Sequence, residues 1–236
     1  MSGSAKAAAT APRKERAPRA AKAKAAPSAP VSGREAIMAS ALRLFGERGF
    51  EGVRTAEILD AAGQRNQTAL QYHFGSREGL YQAILHQYLR PIDDRRMAIV
   101  NPRGLARPRA SLDTCLRAMV DPLIDEVGEG DEGIAYLRFL RQFTSRPGFD
   151  ILQVSRALNY PGMNTLVAEM HRHLARLAPT RRGFAIGLAL QVTVAMLATW
   201  KLENPDQFDR EGFIAATTAT CRALFRSLTT PPPPGG

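Results

Sequence analysis

Gly63-Gln64-Arg65-Asn66-Gln67-Thr68-Ala69-Leu70-Gln71-Tyr72-His73-Phe74-Gly75-Ser76-Arg77-Glu78-Gly79-Leu80 is the stretch that decides the fold. Glycine at 63 and Gly75-Ser76 punctuate it, leaving a short helical segment over 68–74. Upstream, Thr55 reads as an N-cap for a second short helix that places Ile58, Leu59 and Ala62 on one side and stops at Gly63. Before that, Ser32-Gly33-Arg34-Glu35 fits a capping box, and Ile37, Ala41, Leu44 and Phe45 recur as an apolar helical stripe ended by Gly49. Downstream, Leu80, Ile84, Leu85, Tyr88 and Leu89 mark a longer helix. Two short helices joined by a glycine-containing turn behind a supporting helix form a helix-turn-helix pattern. Spacing alone is a weak signal, because many helical hairpins share it. The polar side chains of the turn strengthen it: Arg65, Asn66, Gln67, Thr68 and Gln71 carry the guanidinium, amide and hydroxyl groups that meet phosphates and base edges.

At these residues the sequence resembles the TetR/AcrR family of bacterial transcriptional regulators. The resemblance runs from Ala36 to about Leu85 and rests on Ala41-Leu42-Arg43-Leu44-Phe45, Gly49-Phe50, Arg54-Thr55, Ala61-Ala62-Gly63 and, above all, Tyr72-His73-Phe74-Gly75-Ser76-Arg77-Glu78-Gly79-Leu80. It implies an all-α fold: an N-terminal three-helix DNA-binding domain and a larger helical domain for dimerisation and effector binding. It implies repression released by a small molecule. At matching positions it puts Arg54, Thr55 and Arg77 at DNA phosphates, and Tyr72 and His73 at the end of the recognition helix. Two departures bear on base reading. Gly63 and Phe74 enclose ten residues where the family pattern has nine, and Gln71 stands where tyrosine is frequent. Gln71 therefore gains an amide suited to bidentate pairing with adenine.

The chain has 236 residues and a net charge of +10, which points to an acidic partner, nucleic acid first. The charge is uneven. Residues 1–32 hold seven basic residues against one acid, residues 33–90 net only +1, and residues 91–236 net +3. The Ala/Pro/Lys/Arg arm over 1–32 has little to bury, so it is expected to be disordered, as is the Pro/Gly tail over 229–236. Cys115 and Cys221 make neither a disulfide framework nor a zinc module, although a redox-sensing role for either stays open. A cytoplasmic, nucleoid-associated protein is expected.

Residues 91–228 show further helical patterns and no strand alternation. Leu112 to Val127 form one apolar stripe with Pro122 inside it as an expected kink or break. Phe184 to Trp200 is apolar nearly all round and shorter than a bilayer span of about 20 residues, so no membrane partner is expected. The helices over 181–203 and 209–228 are rich in alanine and glycine, which permits close helix approach; the resemblance makes the partner a second copy, giving a homodimer on double-stranded DNA. Phe139, Gln142, Phe143, Met170, His171, Met196 and Trp200 are the candidates for an effector pocket, with a plain core role weighed against it for the apolar ones. No metal, cofactor or catalytic residue is expected: His171-x-His173 points to two sides of a helix, and no phosphate loop or nucleophile elbow occurs. The competing function is a protein that coats DNA without sequence preference through its basic arm.

Overall fold

The structure, a computed structural model, describes residues 32–128, 130–203 and 209–229. The predicted tail and the predicted arm lie outside the described residues, apart from Thr229 and Ser32. Ten α-helices and no strand occur among the described residues. The fold is all-α, with an N-terminal helix-turn-helix followed by a larger helical part.

The first helix, α1 (Gly33–Arg48), opens on the capping box read from the sequence. Ser32 Oγ accepts from the Glu35 amide at 3.2 Å, and Glu35 Oε2 accepts from the Ser32 amide at 3.0 Å. Two further helices follow: α2 (Thr55–Ala61) and α3 (Ala69–Phe74). The N-cap of α2 is Arg54 rather than Thr55, which occupies the first helical position, because Glu57 reaches back to the Arg54 amide at 2.7 Å. Gly63 and Gly75 take φ values of 66° and 71°, the left-handed conformation that lets the chain leave α2 and α3 sharply.

The fourth helix, α4 (Arg77–Val100), starts at Ser76, whose hydroxyl accepts from the Gly79 amide at 3.0 Å. It runs through residue 90 and through Pro91, so the helix-turn-helix and the rest of the chain share one continuous rod. The remaining helices are α5 (Leu112–Val127), α6 (Asp131–Thr144), α7 (Ile151–Ala157), α8 (Pro161–His173), α9 (Pro179–Glu203) and α10 (Arg210–Thr229). Helix α5 passes through Pro122 without ending, so of the expected kink or break the break does not occur.

Two close approaches organise the packing. At Gly46 a Cβ atom would stand 2.9 Å from Arg138 Cβ and 3.1 Å from the Phe139 amide nitrogen, so α1 and α6 meet almost backbone to backbone. This gives α1 a second buried side, Met38, Leu42 and Gly46, beside Ile37, Ala41 and Phe45. At Gly162 a Cβ would lie 2.3 Å from the Asp93 carbonyl oxygen. There the buried Asp93 carboxylate accepts from the Gly162 and Met163 amides at 2.9 and 2.6 Å, capping the positive end of α8. The core is continuous from Ile37 on α1 to Phe225 on α10.

Helix α9 is longer than the apolar run read from the sequence. At 25 residues it is long and apolar enough to cross a membrane by length and composition, so the shortness of the run no longer counts against that. One side of it, including Ala185, Ile186, Ala189, Leu190 and Leu197, is buried in the core. On the other side Phe184 is 64% exposed and Leu188, Val192 and Ala195 reach the surface. Ala215, Ala216, Ala219 and Ala223 are exposed on α10.

Candidate nucleic-acid interface

The turn from α2 to α3 is held by its own polar side chains. Asn66 Oδ1 accepts from both the Thr68 amide at 2.9 Å and the Thr68 hydroxyl at 2.7 Å, and the Asn66 carbonyl accepts from the Ala69 amide at 3.0 Å. This is an Asx-turn that leads into α3, whose N-cap is Thr68. Asn66 and Thr68 are exposed, with the Asn66 amide oxygen and the Thr68 hydroxyl engaged with each other. Gln64 folds back toward α1, where a Cβ on Gly33 would sit 3.3 Å from its amide. The amide and guanidinium groups directed outward are therefore Arg65, Gln67 and Gln71, all exposed.

Tyr72 is 83% exposed, an unusual state for a tyrosine, and stands edge-on to His73 with ring centroids 4.9 Å apart. Half-buried His73 in turn meets Phe74 edge-on, with ring centroids 6.1 Å apart. The apolar side of α3, Ala69 and Leu70, is buried, so the short helix is anchored from below and presents Gln71 and Tyr72 above. Arg54 is exposed at the start of α2 and Thr55 is half-buried next to it. Arg48 and Glu57 pair at 2.8 Å beside them. The hydrogen bond from the Arg54 amide, then that from Arg48, hold the Glu57 carboxyl below its ordinary pKa.

Arg77 is placed differently from the role the resemblance gave it. Its guanidinium donates to the Val53 carbonyl at 2.7 Å, to the Phe50 carbonyl and to the Tyr81 hydroxyl, and it lies 5.1 Å from the centre of the Phe45 ring. These donors are turned into the protein, where they fasten the loop before α2 to the start of α4. The planar fork of arginine suits two carbonyls at once, which lysine could not match. A residue that sequence reasoning passed over is Arg34. It is exposed on the first turn of α1 with its guanidinium 5.2 Å from the Phe74 ring, adding a cation beside the end of α3. No periodicity signals a contact that spans 40 positions of the chain.

The effector-pocket candidates divide. Phe139 and Phe143 pack on Phe50, with ring centroids 5.4 and 5.8 Å away, and Phe139 also faces Phe45 at 6.4 Å. Gln142 lies by Gly49. These three belong to the α1–α6 contact. Met170 is fully buried in the core, Met196 is half-buried on α9, and Trp200 stands edge-on to Phe213 at 5.4 Å. Of the seven, His171 borders a cavity: a groove of about 510 Å³ shared with Phe149, Arg156, Phe184, Leu188 and Gln191. Burial, then the nearby Arg182 and Arg156 charges, lower the His171 pKa, which favours the neutral ring. No group of three or more His, Cys, Asp or Glu side chains among the described residues is arranged to hold a metal ion.

Residues 37–84 match the family model described as bacterial regulatory proteins, tetR family. The sequence is 34% identical over 82 residues to the HTH-type transcriptional repressor AcnR of Corynebacterium glutamicum, covering 34% of this chain and 40% of that protein. It is 43% identical over 56 residues to the HTH-type transcriptional regulator RutR of Escherichia coli, covering 24% and 26%. The chain thus spans less than half the length of the curated relatives it matches. A solved TetR-family transcription regulator from Shewanella sp. PV-4 superposes with a TM-score of 0.60 at 18% identity, over 85% of this chain and 100% of that one. Native NalD of Pseudomonas aeruginosa, the secondary repressor of the MexAB-OprM multidrug efflux pump, superposes with a TM-score of 0.50 at 20% identity, over 83% and 95%. At these identities the two superpositions speak to a common fold.

Proposed function

The chain belongs to the TetR family of bacterial regulatory proteins, and from that premise we propose that it is a cytoplasmic transcriptional repressor that binds a palindromic operator as a homodimer and is released by a small molecule. The observation that carries this reading is the outward face of the helix-turn-helix. Arg65 and Gln67 project from the turn before α3, and Gln71 and the 83%-exposed Tyr72 from α3 itself, whose other side is buried, with Arg54 and Thr55 flanking them. Such a surface offers cations to phosphates and amides to base edges in a major groove. Repression is the sign given in the names of AcnR and NalD.

The division of labour gives DNA to residues 33–90 and dimerisation with effector binding to residues 91–228. The surface of α9 around Phe184, Leu188, Val192 and Ala195, with the alanines of α10, is apolar and small enough for a second copy to pack closely. Two recognition helices would then be paired, with half-sites about one helical turn or a multiple of it apart. Phosphate contacts fall to Arg54, Thr55 and Arg34, while base reading falls to Arg65, Gln67 and Gln71.

Selection of bound sequences from a random DNA pool tests the reading, with the full chain compared against a version beginning at Ser32. Enrichment of one palindrome by both proteins supports it. Loss of most binding without residues 1–31, and no enriched sequence, would instead identify a non-specific DNA-coating protein. Light scattering at micromolar protein tests the dimer, and a monomer there would remove the basis for the palindrome.

A further inference from the structure

Helices α4, α5, α6, α8 and α9 enclose a cavity of about 50 Å³ walled by Ile92, Met119, Leu123, Met163, Leu190 and Val194. Its polar side chains are Arg96, Thr144, Thr193 and Gln191. Both threonine hydroxyls donate to carbonyls of their own helices, at 2.9 Å each. Arg96 is different. It is 5% exposed, yet its one hydrogen bond among the described residues runs from Nε to the Ala118 carbonyl at 3.1 Å. Nη1 stands 3.8 Å from Asp93 Oδ1, too far for a hydrogen bond, and both Asp93 oxygens are taken by the amides that open α8. A guanidinium carries five N–H donors; Nη1 keeps Asp93 at ion-pair distance, and no hydrogen bond links either Nη group to the described residues. The groups that match a planar fork are carboxylate and phosphate, and a small, mostly apolar chamber favours the smaller, singly charged carboxylate.

A volume of 50 Å³ holds about three waters, too little for a ligand body. However, Phe149 and Gln191 line both this chamber and the outer groove of about 510 Å³ that reaches His171, Phe184 and Leu188. Rotation of these two side chains would join the two spaces. Phe184 and Leu188 also lie on the face assigned above to the second copy, which would enclose the groove from outside.

We propose that the effector is an apolar monocarboxylate, its carboxylate held by the Nη1 and Nη2 groups of Arg96 and its hydrocarbon body lying past Phe149 and Gln191 in the groove. This rests on the reading of residues 91–228 as an effector-binding half. Burial pushes the Arg96 pKa down to about 10, which still leaves it a cation at neutral pH. The ligand would also have a route to the DNA-binding half. Phe149 meets Phe143 edge-on at 5.4 Å, and Phe143 meets Phe50 at 5.8 Å in the loop before α2. A ligand that displaces Phe149 therefore disturbs the stack that seats the helix-turn-helix.

The test is calorimetric titration of the full-length protein with octanoate, decanoate and 4-phenylbutyrate, each beside its primary amide and an alkylammonium of equal length, with release of bound operator DNA followed in parallel. The acids should bind and release DNA, with the amides at least tenfold weaker. Arg96→Met should erase that preference. Because removing a buried charge partner can unfold a protein, Phe149→Trp, which crowds the passage while keeping Arg96, is the second variant and should weaken the acids at least tenfold. Amides or ammonium compounds that match or exceed the acids overturn the ligand class, as does a panel with no response. A small-molecule extract of the source cells, added to the operator complex, separates the two levels: release by the extract with no response to carboxylates sinks the ligand class alone, whereas no release by the extract sinks the effector reading itself.

Discussion

Phe50 and Phe143 meet edge-on with ring centroids 5.8 Å apart, one in the loop that precedes α2 and the other near the end of α6. Around them Phe45, Tyr81, Phe139 and Phe149 continue the cluster, and the Arg146 guanidinium lies 5.0 Å from the Phe50 ring. The helix-turn-helix is thus seated on the larger helical part by aromatic packing as well as by the α4 rod. Removing one of these rings should cost about as much as other buried aromatic truncations, about 3–5 kcal/mol. Phe143→Ala is expected to lower the urea midpoint accordingly; a change below 1 kcal/mol, about the worth of a single aromatic pair contact, would mean that the cluster is not packed as described.

Arg77 and Arg54 make opposite predictions for salt. Arg54 is exposed, whereas the Arg77 guanidinium is spent on Val53, Phe50 and Tyr81. Each phosphate contact adds about 0.9 to the steepness of the plot of log affinity against log salt. Arg54→Ala should flatten that slope by about one per protomer. Arg77→Met should instead lower stability, by about 1–3 kcal/mol for the unsatisfied carbonyls, and leave the slope unchanged in the folded fraction. A flattened slope with intact stability would return Arg77 to the phosphates.

Asn66 is expected to act on the helix rather than on the bases. Its side chain closes the turn before α3 through Thr68. Asn66→Ala should cost about 0.5–1.5 kcal/mol, the usual net worth of a hydrogen bond. The sequence preference selected from random DNA should stay the same; a change of consensus at one position would show that Asn66 touches a base.

Cys115 and Cys221 are both buried thiols, on α5 and α10. Burial pushes the Cys115 thiol up to about 11 and raises Cys221 as well, so neither supplies thiolate at neutral pH. Under native conditions a thiol reagent such as Ellman's should label neither within minutes, and both on unfolding in guanidinium. Fast native labelling of either one would revive a redox-sensing role.

The parts of the fold governed by neighbouring residues were legible in the sequence. The Ser32–Glu35 box and the breaks at Gly63 and Gly75-Ser76 all act within a few positions, and each appears as read. Asp209 likewise caps α10, accepting from the Gly212 amide at 3.1 Å. Long-range packing was not legible. The second buried side of α1 exists because Gly46 lets α6 approach from some 90 residues away, and no stripe on α1 announces a partner there. Arg77 matched a family position, yet its direction depends on two carbonyls 24 and 27 residues upstream. Phe139 and Phe143 are core because α1 covers them; their helical spacing alone suits a pocket wall equally well. Arg96 gave no signal, since an arginine on an amphipathic helix ordinarily faces water.

The central claim is that the face carrying Gln67 and Gln71 reads sequence while the cations around it supply affinity. The most direct measurement is the ratio of operator affinity to random-sequence affinity at one fixed salt concentration, for the native protein and for Gln67→Ala/Gln71→Ala. A lost bidentate base contact is worth about 1–3 kcal/mol, so the ratio should fall about tenfold or more while random-sequence affinity holds steady. An unchanged ratio, or an equal loss on both DNAs, would contradict the account.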